Sequence, residues 1–307
     1  RNISVTLLNS VSNKNMNVAL PLAGSGIRGL RFMKELKKGK IKRILLNDKK
    51  DNFVENFAKN LELNKIKTNK VKVSQDDAIH FLLNQHCDDW CGFFDYIDLD
   101  PFGSPNPFLA AAVARISRNG ILAVTATDTA ALTGTYGNVT KRKYWAQSLK
   151  NFLMHETGLR ILIRKVQLQG IQFDKALVPI LSYHKDHYFR IYFRASKGKE
   201  KCDEIIKQHQ YLLFCPKCLN HNISQYNCGK CKCKCGNKFL FAGPLWTGEL
   251  FDKKLVSKMA KNNSFKEEQK FLDLLVEESK KSVVGFYDLH QIAKKYKIKS
   301  PKMNLIL

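Results

Sequence analysis

The chain of 307 residues has no run approaching the roughly 18 consecutive apolar residues of a membrane-spanning helix. Its first residues, Arg1 to Leu8, lack the long apolar segment of a secretory signal. No membrane partner is therefore expected, and a cytoplasmic location is. Acidic residues are scarce: 27 Asp and Glu face 52 Lys and Arg, a net charge of +25 with histidine neutral. That excess suits a polyanionic partner better than an acidic protein surface, and nucleic acid is the first class to weigh. Internal repeats are lacking, and the only compositional bias is scattered lysine. The nine cysteines are odd in number, and six crowd between Cys215 and Cys235, which argues against a disulfide framework and for metal ligation. With 44% hydrophobic and 26% charged residues, the length allows one large or two ordinary domains, each with its own core.

What is there begins as an alternation of strands and helices. Ile3 to Ser10 reads as a helix. Asn17 to Leu22 reads as a strand running into a glycine turn, with Leu30, Met33 and Leu36 as the stripe of the helix after it. Ile41 to Asp48 is a strand ending on an acid, followed by a helix with Phe53, Phe57 and Leu61 on one face. Further strands are predicted over 71–74, 94–100 and 121–127, with helices over 78–84 and 108–116. This order implies a parallel sheet covered on both faces. A basic helix over 141–156 and β-rich segments over 159–169 and 176–194 are expected to finish it. Ser196 to Lys201 reads as a linker, which divides the chain into domains of 1–195 and 196–307. In the second, Ser264-Phe-Lys-Glu267 reads as a capping box and Phe271, Leu274 and Leu275 as a buried stripe. With a helix over 287–296 and a start signal at Ser300-Pro301, this part predicts a helix-turn-helix.

Gly24-Ser-Gly26 follows a strand and opens a helix, so small residues let the backbone approach a ligand whose anionic group meets the helix N-terminus. A tight turn with no ligand accounts equally well for this triplet alone. Asp48 sits at the end of the next strand, the place from which a carboxylate accepts hydrogen bonds from ribose hydroxyls. Asp77, followed by Ala78, stands at the third strand end, where a carboxylate can take the exocyclic amine of adenine. Acids at successive strand ends point into one crevice. The pattern Gly24-x-Gly26-x-x-Gly29 also suits a dinucleotide, but no hydride-transfer residues accompany it. S-adenosylmethionine fits better, with Arg28 and, less distinctively, Arg31 available to its carboxylate.

The segment Asp98-Leu-Asp100-Pro101-Phe102-Gly103 ends the fourth strand and resembles the acid-proline-aromatic motif of amino-methyltransferases. An exocyclic base nitrogen is a poor nucleophile because its lone pair is delocalised into the ring. A carboxylate accepting its N–H localises that pair while an aromatic ring stacks the base. Asp100 and Phe102 can fill these roles, although an Asp-Pro turn after a buried strand needs no chemistry. The longer string Asp-Pro-Phe-Gly-Ser-Pro is joined by Gly-Ser-Gly-Ile-Arg-Gly-Leu-Arg, Thr125-Ala-Thr-Asp-Thr, His155-Glu-Thr-Gly-Leu-Arg160, Asp186-His-Tyr-Phe-Arg190 and Ala242-Gly-Pro-Leu-Trp246. Together they resemble the tRNA guanine-26 N2,N2-dimethyltransferase family over residues 1 to about 252.

That resemblance implies a Rossmann-like class I methyltransferase sheet and a smaller C-terminal domain with a zinc ribbon and helix-turn-helix-like helices. It also implies transfer of one or two methyl groups to N2 of guanine 26 in tRNA. Carried over by position, Arg1, Arg28, Asp48, Asp77 and Ala78 match cofactor contacts, with Gly24 and Gly26 in the turn. Asp100 and Phe102 match the base-handling pair. The family has further residues before Arg1 and after Leu307, so the chain is expected to be most of an enzyme rather than all of one. A monomer is favoured. The rival readings are an amino-methyltransferase of another RNA or DNA base and a non-enzymatic nucleic-acid-binding module.

Cys215-x-x-Cys218 is a knuckle that aims two sulfurs at one metal. Its partner pair is open among Cys228, Cys231, Cys233 and Cys235: Cys228-x-x-Cys231 has the better spacing, and Cys233-x-Cys235 the family's distance from Gly243-Pro-Leu-Trp. Cys215, Cys218, Cys233 and Cys235 are taken as the expected zinc set, the site being structural. Cys87, Cys91 and Cys202 are read as ordinary residues. Lys141-Arg-Lys143-Tyr-Trp145 and the lysines from Lys253 to Lys261 and Lys294 to Lys299 are candidates for phosphate contacts, and solvated surface is the plain reading of any one of them.

Overall fold

The computed structural model describes residues 1–84, 92–227, 231–281 and 283–299. Cys87, Cys91, Cys228 and the start signal at Ser300-Pro301 lie outside the described residues. The chain forms two compact units interleaved along the sequence. The first takes Arg1–Asp128, Val166–Ile205 and Glu249–Ser282, and the second Thr129–Lys165, Ile206–Gly248 and Val283–Leu307. The boundary at 195/196 is thus a division of the sequence, while compactness follows another line.

The first unit opens with α1 (Asn2–Ser10), β1 (Met16–Leu20), α2 (Ile27–Glu35), β2 (Ile41–Asn47), α3 (Phe53–Leu63) and β3 (Val71–Ser74). Next come α4 (Ala78–Leu83), β4 (Phe94–Leu99), α5 (Leu109–Arg115) and β5 (Ile116–Ala126). The second unit begins with α6 (Thr129–Leu132), α7 (Gly137–Tyr144) and most of α8 (Met154–Ile171). The chain then adds β6 (Lys175–Lys185), β7 (Tyr188–Lys197) and α9 (Lys199–Lys207). The seven strands form one sheet in the order β3-β2-β1-β4-β5-β7-β6. The pairs from β3 through β5 are parallel, while β7 runs antiparallel to both β5 and β6.

Burial explains why the central strands read as continuous apolar runs. Val18, Ala19, Ile97, Leu122 and Val124 are all fully buried, as parallel strands covered on both faces must be. One layer over the sheet joins Leu7 and Leu8 of α1, Phe32 of α2 and Phe57 of α3 to Tyr96 and Tyr192. Phe32 meets the Tyr96 ring edge-on at 5.7 Å. Each such fully buried side chain contributes about 1.5–3 kcal/mol. The same core takes in Val256 and Met259 of α10 (Lys253–Lys261) and Leu272 and Leu275 of α11 (Gln269–Lys280).

The second unit holds a three-stranded antiparallel sheet of β8 (His209–Phe214), β9 (His221–Ser224) and β10 (Leu240–Trp246), in the order β10-β8-β9. It also holds α12 (Leu289–Tyr296), whose N-terminus is capped by the Asp288 carboxylate. Arg160 of α8 donates to the carbonyls of Trp246, Gly248 and Val283 and pairs with Glu156, which ties the helix to the strand end and loop beside it.

Several expectations are corrected. Residues 159–169 are helix, not strand, and the basic helix ends at Tyr144, where Trp145 adopts a left-handed conformation. The linker at 196–201 is the end of β7 and the start of α9. In place of a Ser264 capping box, the Asn263 side chain accepts from the amide of Phe265 and donates to Gln269. The buried stripe of α11 is Leu272, Leu275 and Ser279, leaving Leu274 54% exposed. Of the predicted helix-turn-helix, α12 supplies the helix expected over 287–296, while the helix expected from Ser300-Pro301 lies outside the described residues; α11 packs with α10.

Candidate active site

The sheet order reverses between β1 and β4, and in a doubly wound fold the crevice beyond the carboxyl ends of those strands receives the ligand. The turn after β1 is built for close approach. Gly24 and Gly26 have φ of +61° and +73°, and a Cβ at Gly26 would stand 2.2 Å from the Phe57 ring. The Gly24 amide donates to Asp48 Oδ2 at 2.6 Å, and the Lys50 amide to Asp48 Oδ1, which fixes that carboxylate at the mouth of the turn. Asp77 caps α4 by accepting from the amides of Ile79 and His80, and Ala78 is the buried first residue of that helix. Asn47 ties the neighbourhood together, its side chain donating to the carbonyls of Pro21 and Asp76 while accepting from Ser74.

Beneath the crevice lies a layer of charge. Asp98, near the end of β4, is 1% exposed and takes both guanidinium nitrogens of Arg190 at 2.8 and 2.7 Å. The Tyr96 hydroxyl donates to it at 2.6 Å, and Arg190 also donates to Thr125. Burial alone would push the Asp98 carboxyl up. The guanidinium of Arg190, then that of Arg28, outweighs it and holds the group down at about 2. Arg28 enters from the first turn of α2: Nη1 lies 3.0 Å from Ser4 Oγ and 3.2 Å from Asp98, and Nη2 donates to Asp100 Oδ2 at 2.5 Å.

Asp100 itself is 38% exposed, and two residues on the Phe102 ring stands fully in solvent. The loop is held from one side. The Gly103 amide donates to Thr127 Oγ1 at 2.6 Å, and the Thr127 amide returns a bond to the Gly103 carbonyl at 2.9 Å. Arg1, Arg28, Asp98 and Asp100 line one small cavity with Leu20, Leu22, Ala23 and Ile27. Arg31, expected beside the cofactor, is instead engaged by Glu35 one turn on and stacks over the Phe265 ring.

Sequence reading missed Asp98 as more than a strand end, together with Arg190, Thr125, Tyr96, Ser4, Asn47 and Thr127. The signal for Asp98 and Arg190 was a charge inside each of two apolar strands. Joining them requires the register, in which Thr125 of β5 stands opposite Arg190 of β7 and Ala123 opposite Asp98.

In the second unit the thiols of Cys215, Cys218, Cys233 and Cys235 lie within 4.8 Å of one another. Two Sγ–Sγ separations are 3.5 and 3.4 Å, far beyond a disulfide. A sulfur tetrahedron around zinc has edges of roughly 3.8 Å. Each knuckle turns through a left-handed residue, Leu219 in one and Gly236 in the other. Cys231 stands outside this group of four, and Cys202 is a buried residue of α9.

A doubly wound sheet whose switch point carries a glycine turn, strand-end acids and a partly buried arginine defines a Rossmann-like methyltransferase fold. Comparison with known proteins narrows the class. The model of the family described as N2,N2-dimethylguanosine tRNA methyltransferase matches residues 1–307, and the chain belongs to that family. It is 38% identical over 290 residues to the tRNA (guanine(26)-N(2)/guanine(27)-N(2))-dimethyltransferase of Aquifex aeolicus, covering 92% of this chain and 72% of that protein. It is 37% identical over 318 aligned residues to the tRNA (guanine(26)-N(2))-dimethyltransferase of Methanobrevibacter smithii, covering 100% and 79%. Among solved structures, Trm1 from Pyrococcus horikoshii in complex with S-adenosyl-L-methionine superposes with a TM-score of 0.84 at 33% identity, covering 99% of this chain and 82% of that one. Among the described residues no helix is long and apolar enough to cross a membrane.

Proposed function

We propose that the protein transfers one or two methyl groups from S-adenosylmethionine to the exocyclic N2 of guanine 26 in tRNA. The observation that carries the reading is the juxtaposition, at one strand end, of an accessible carboxylate, a solvent-exposed ring two residues on and the half-buried turn of Arg28. The donor set fits the cofactor: a guanidinium for its carboxylate, a fixed carboxylate for its ribose and a left-handed glycine turn between them. Arg28 and Arg1 are assigned to the amino-acid end, Asp48 to the ribose, and Asp77 and Ala78 to the adenine. When bound, S-adenosylmethionine supplies an electrophilic methyl group on a sulfonium and leaves as a neutral thioether.

The chain's residues do the rest. Phe102 stacks the extruded guanine, whose pairing partner has been given up at the helical junction. Asp100 accepts the N2–H, localises the nitrogen lone pair and takes the proton as the N–C bond forms. Lys253, Lys254, Lys258 and Lys261 face solvent on α10, opposite the buried Leu255, Val256 and Met259, and are assigned to tRNA phosphates. Cys215, Cys218, Cys233 and Cys235 are assigned to one structural zinc ion.

Unmodified tRNA treated with the protein and S-adenosylmethionine, then digested to nucleosides, tests the reading by mass spectrometry. Methylated and dimethylated guanosine are expected, and both disappear with a G26→A transcript. Methyladenosine, or no transfer to guanosine, overturns it.

A further inference from the structure

The ion pair between Arg28 and Asp100 joins two groups with different assignments. One holds the cofactor's carboxylate and the other receives the substrate's N–H, so this inference rests on the function proposed above. In the structure each occupies the other's working atom: Arg28 Nη2 donates to Asp100 Oδ2 at 2.5 Å. Arg28 Nη1 is committed downward, to Ser4 Oγ and Asp98. Asp98 cannot yield, because it is 1% exposed and held by Arg190 and Tyr96. Asp100, at 38% exposed, is the outer and weaker-held partner. Around Arg28 and Arg190 the two guanidiniums already balance two carboxylates, so a third carboxylate that takes the outward-facing Nη2 donor competes with the exposed Asp100 and not with the sealed Asp98.

We propose that Arg28 exchanges partners: a cofactor carboxylate takes the Nη2 donor from Asp100, and Asp100 is thereby released to accept the guanine N2–H. A carboxylate oxygen already receiving a charge-assisted bond is a poorer acceptor for a neutral amine. Releasing it only when the cofactor is seated makes the acid competent at the moment a methyl donor is present. No covalent bond is made or broken in the exchange, and no proton is transferred.

The exchange has a binding signature that differs from its kinetic one. Cofactor affinity is reduced by the fraction of molecules in which Nη2 is free. Asp100→Asn therefore tightens S-adenosylhomocysteine, which carries the carboxylate, by about fivefold or more. It leaves 5′-methylthioadenosine, which has the nucleoside and no carboxylate, unchanged. The thioether is the right probe because a sulfonium would be attracted to Asp100 itself. Asp100→Ser gives the same result if the asparagine amide retains a contact to Arg28. Loss of simple charge repulsion is separated by repeating the substitution in Arg28→Gln, where exchange predicts no tightening and repulsion predicts that it persists. Isothermal titration reads all of these. An unchanged or weakened homocysteine affinity in both Asp100 variants, or tightening that survives Arg28→Gln, overturns the exchange while leaving the cofactor reading intact. If the unsubstituted protein binds neither thioether, the cofactor reading fails and the exchange with it.

Discussion

Asp98 and Asp100 stand two residues apart at the end of β4, yet they belong to regions of opposite character. Asp98 is sealed in and saturated: Arg190, Arg28 and Tyr96 satisfy its oxygens, and Thr125 satisfies a donor of Arg190. Asp100 begins the rim, where Phe102 is fully exposed and a pair of bonds to Thr127 holds the loop. A saturated buried charge has no spare valence for a ligand and serves by fixing what it touches. A half-exposed charge with one exchangeable partner is free to serve a substrate. Proximity in sequence therefore says little about role, and burial with partner count says much.

The contrast breaks if substitutions on the two sides have the same consequences. Asp100→Asn is expected to lower methyl transfer about 100- to 10,000-fold, with the unfolding midpoint in urea unchanged. Asp98→Asn is expected to destabilise the first unit by about 3–5 kcal/mol, because it leaves Arg190 with an uncompensated buried charge. Chemical denaturation followed alongside transfer rates separates the two. Acid sharpens the same point. The folded pKa of Asp98, about 2, lies below its ordinary value of 3.8, so its contribution is present above pH 4 and is lost as pH falls from there through 2. That contribution is about 2 kcal/mol, and Asp98→Asn is expected to lack this acid-dependent component of stability. On the rim, Phe102→Ala is expected to cost about 1–3 kcal/mol of base stacking, or roughly 5- to 150-fold in kcat/KM, with affinity for S-adenosylhomocysteine unaltered.

The parallel half of the sheet was legible because each strand is a short apolar run closed by an acid or a glycine turn. Asp48, Asp77 and Asp100 all fall on such closures; the structure places Asp100 in the same cavity as Arg28 and Asp48 against the amide of the glycine turn. Helix α8 was not legible. Leu159, Ile161, Leu162, Ile163 and Val166 are all at most 5% exposed, so it is apolar on several faces and its 3.6-residue period is erased. What remains in the sequence is the alternation of residues 159, 161 and 163, which imitates a strand. The α11 stripe failed for a related reason, two adjacent leucines of which only Leu275 faces the core. The thiol set was legible through the resemblance and not through spacing alone: Cys233-x-Cys235 departs from the usual two-residue gap but keeps the family's distance from Gly243-Pro-Leu-Trp, and the four named thiols are the ones that come together. The partnership of Asp98 with Arg190 spans 92 residues and is visible only through the register of three strands.

Thr127 offers the finest division between holding and acting. Its hydroxyl accepts from the Gly103 amide, and its own amide donates to the Gly103 carbonyl, so the side chain supplies one of two anchors to the loop that carries Phe102. Gly103 sits at φ +78°, which glycine adopts without steric cost and leaves as readily, so the loop depends on its hydrogen bonds for placement. Thr127→Val keeps the branched shape and the backbone bond and deletes only the acceptor. A hydrogen bond of this kind is worth about 0.5–1.5 kcal/mol. Because the loop is exposed, the loss falls on the placement of the ring and not on the stability of the fold. The expected result is a severalfold fall in kcat/KM for tRNA, no change in the urea midpoint, and recovery in Thr127→Ser, which restores the hydroxyl. A matching fall in stability would mean that the rim and the buried layer are mechanically one region, and the contrast between Asp98 and Asp100 would then be one of exposure alone.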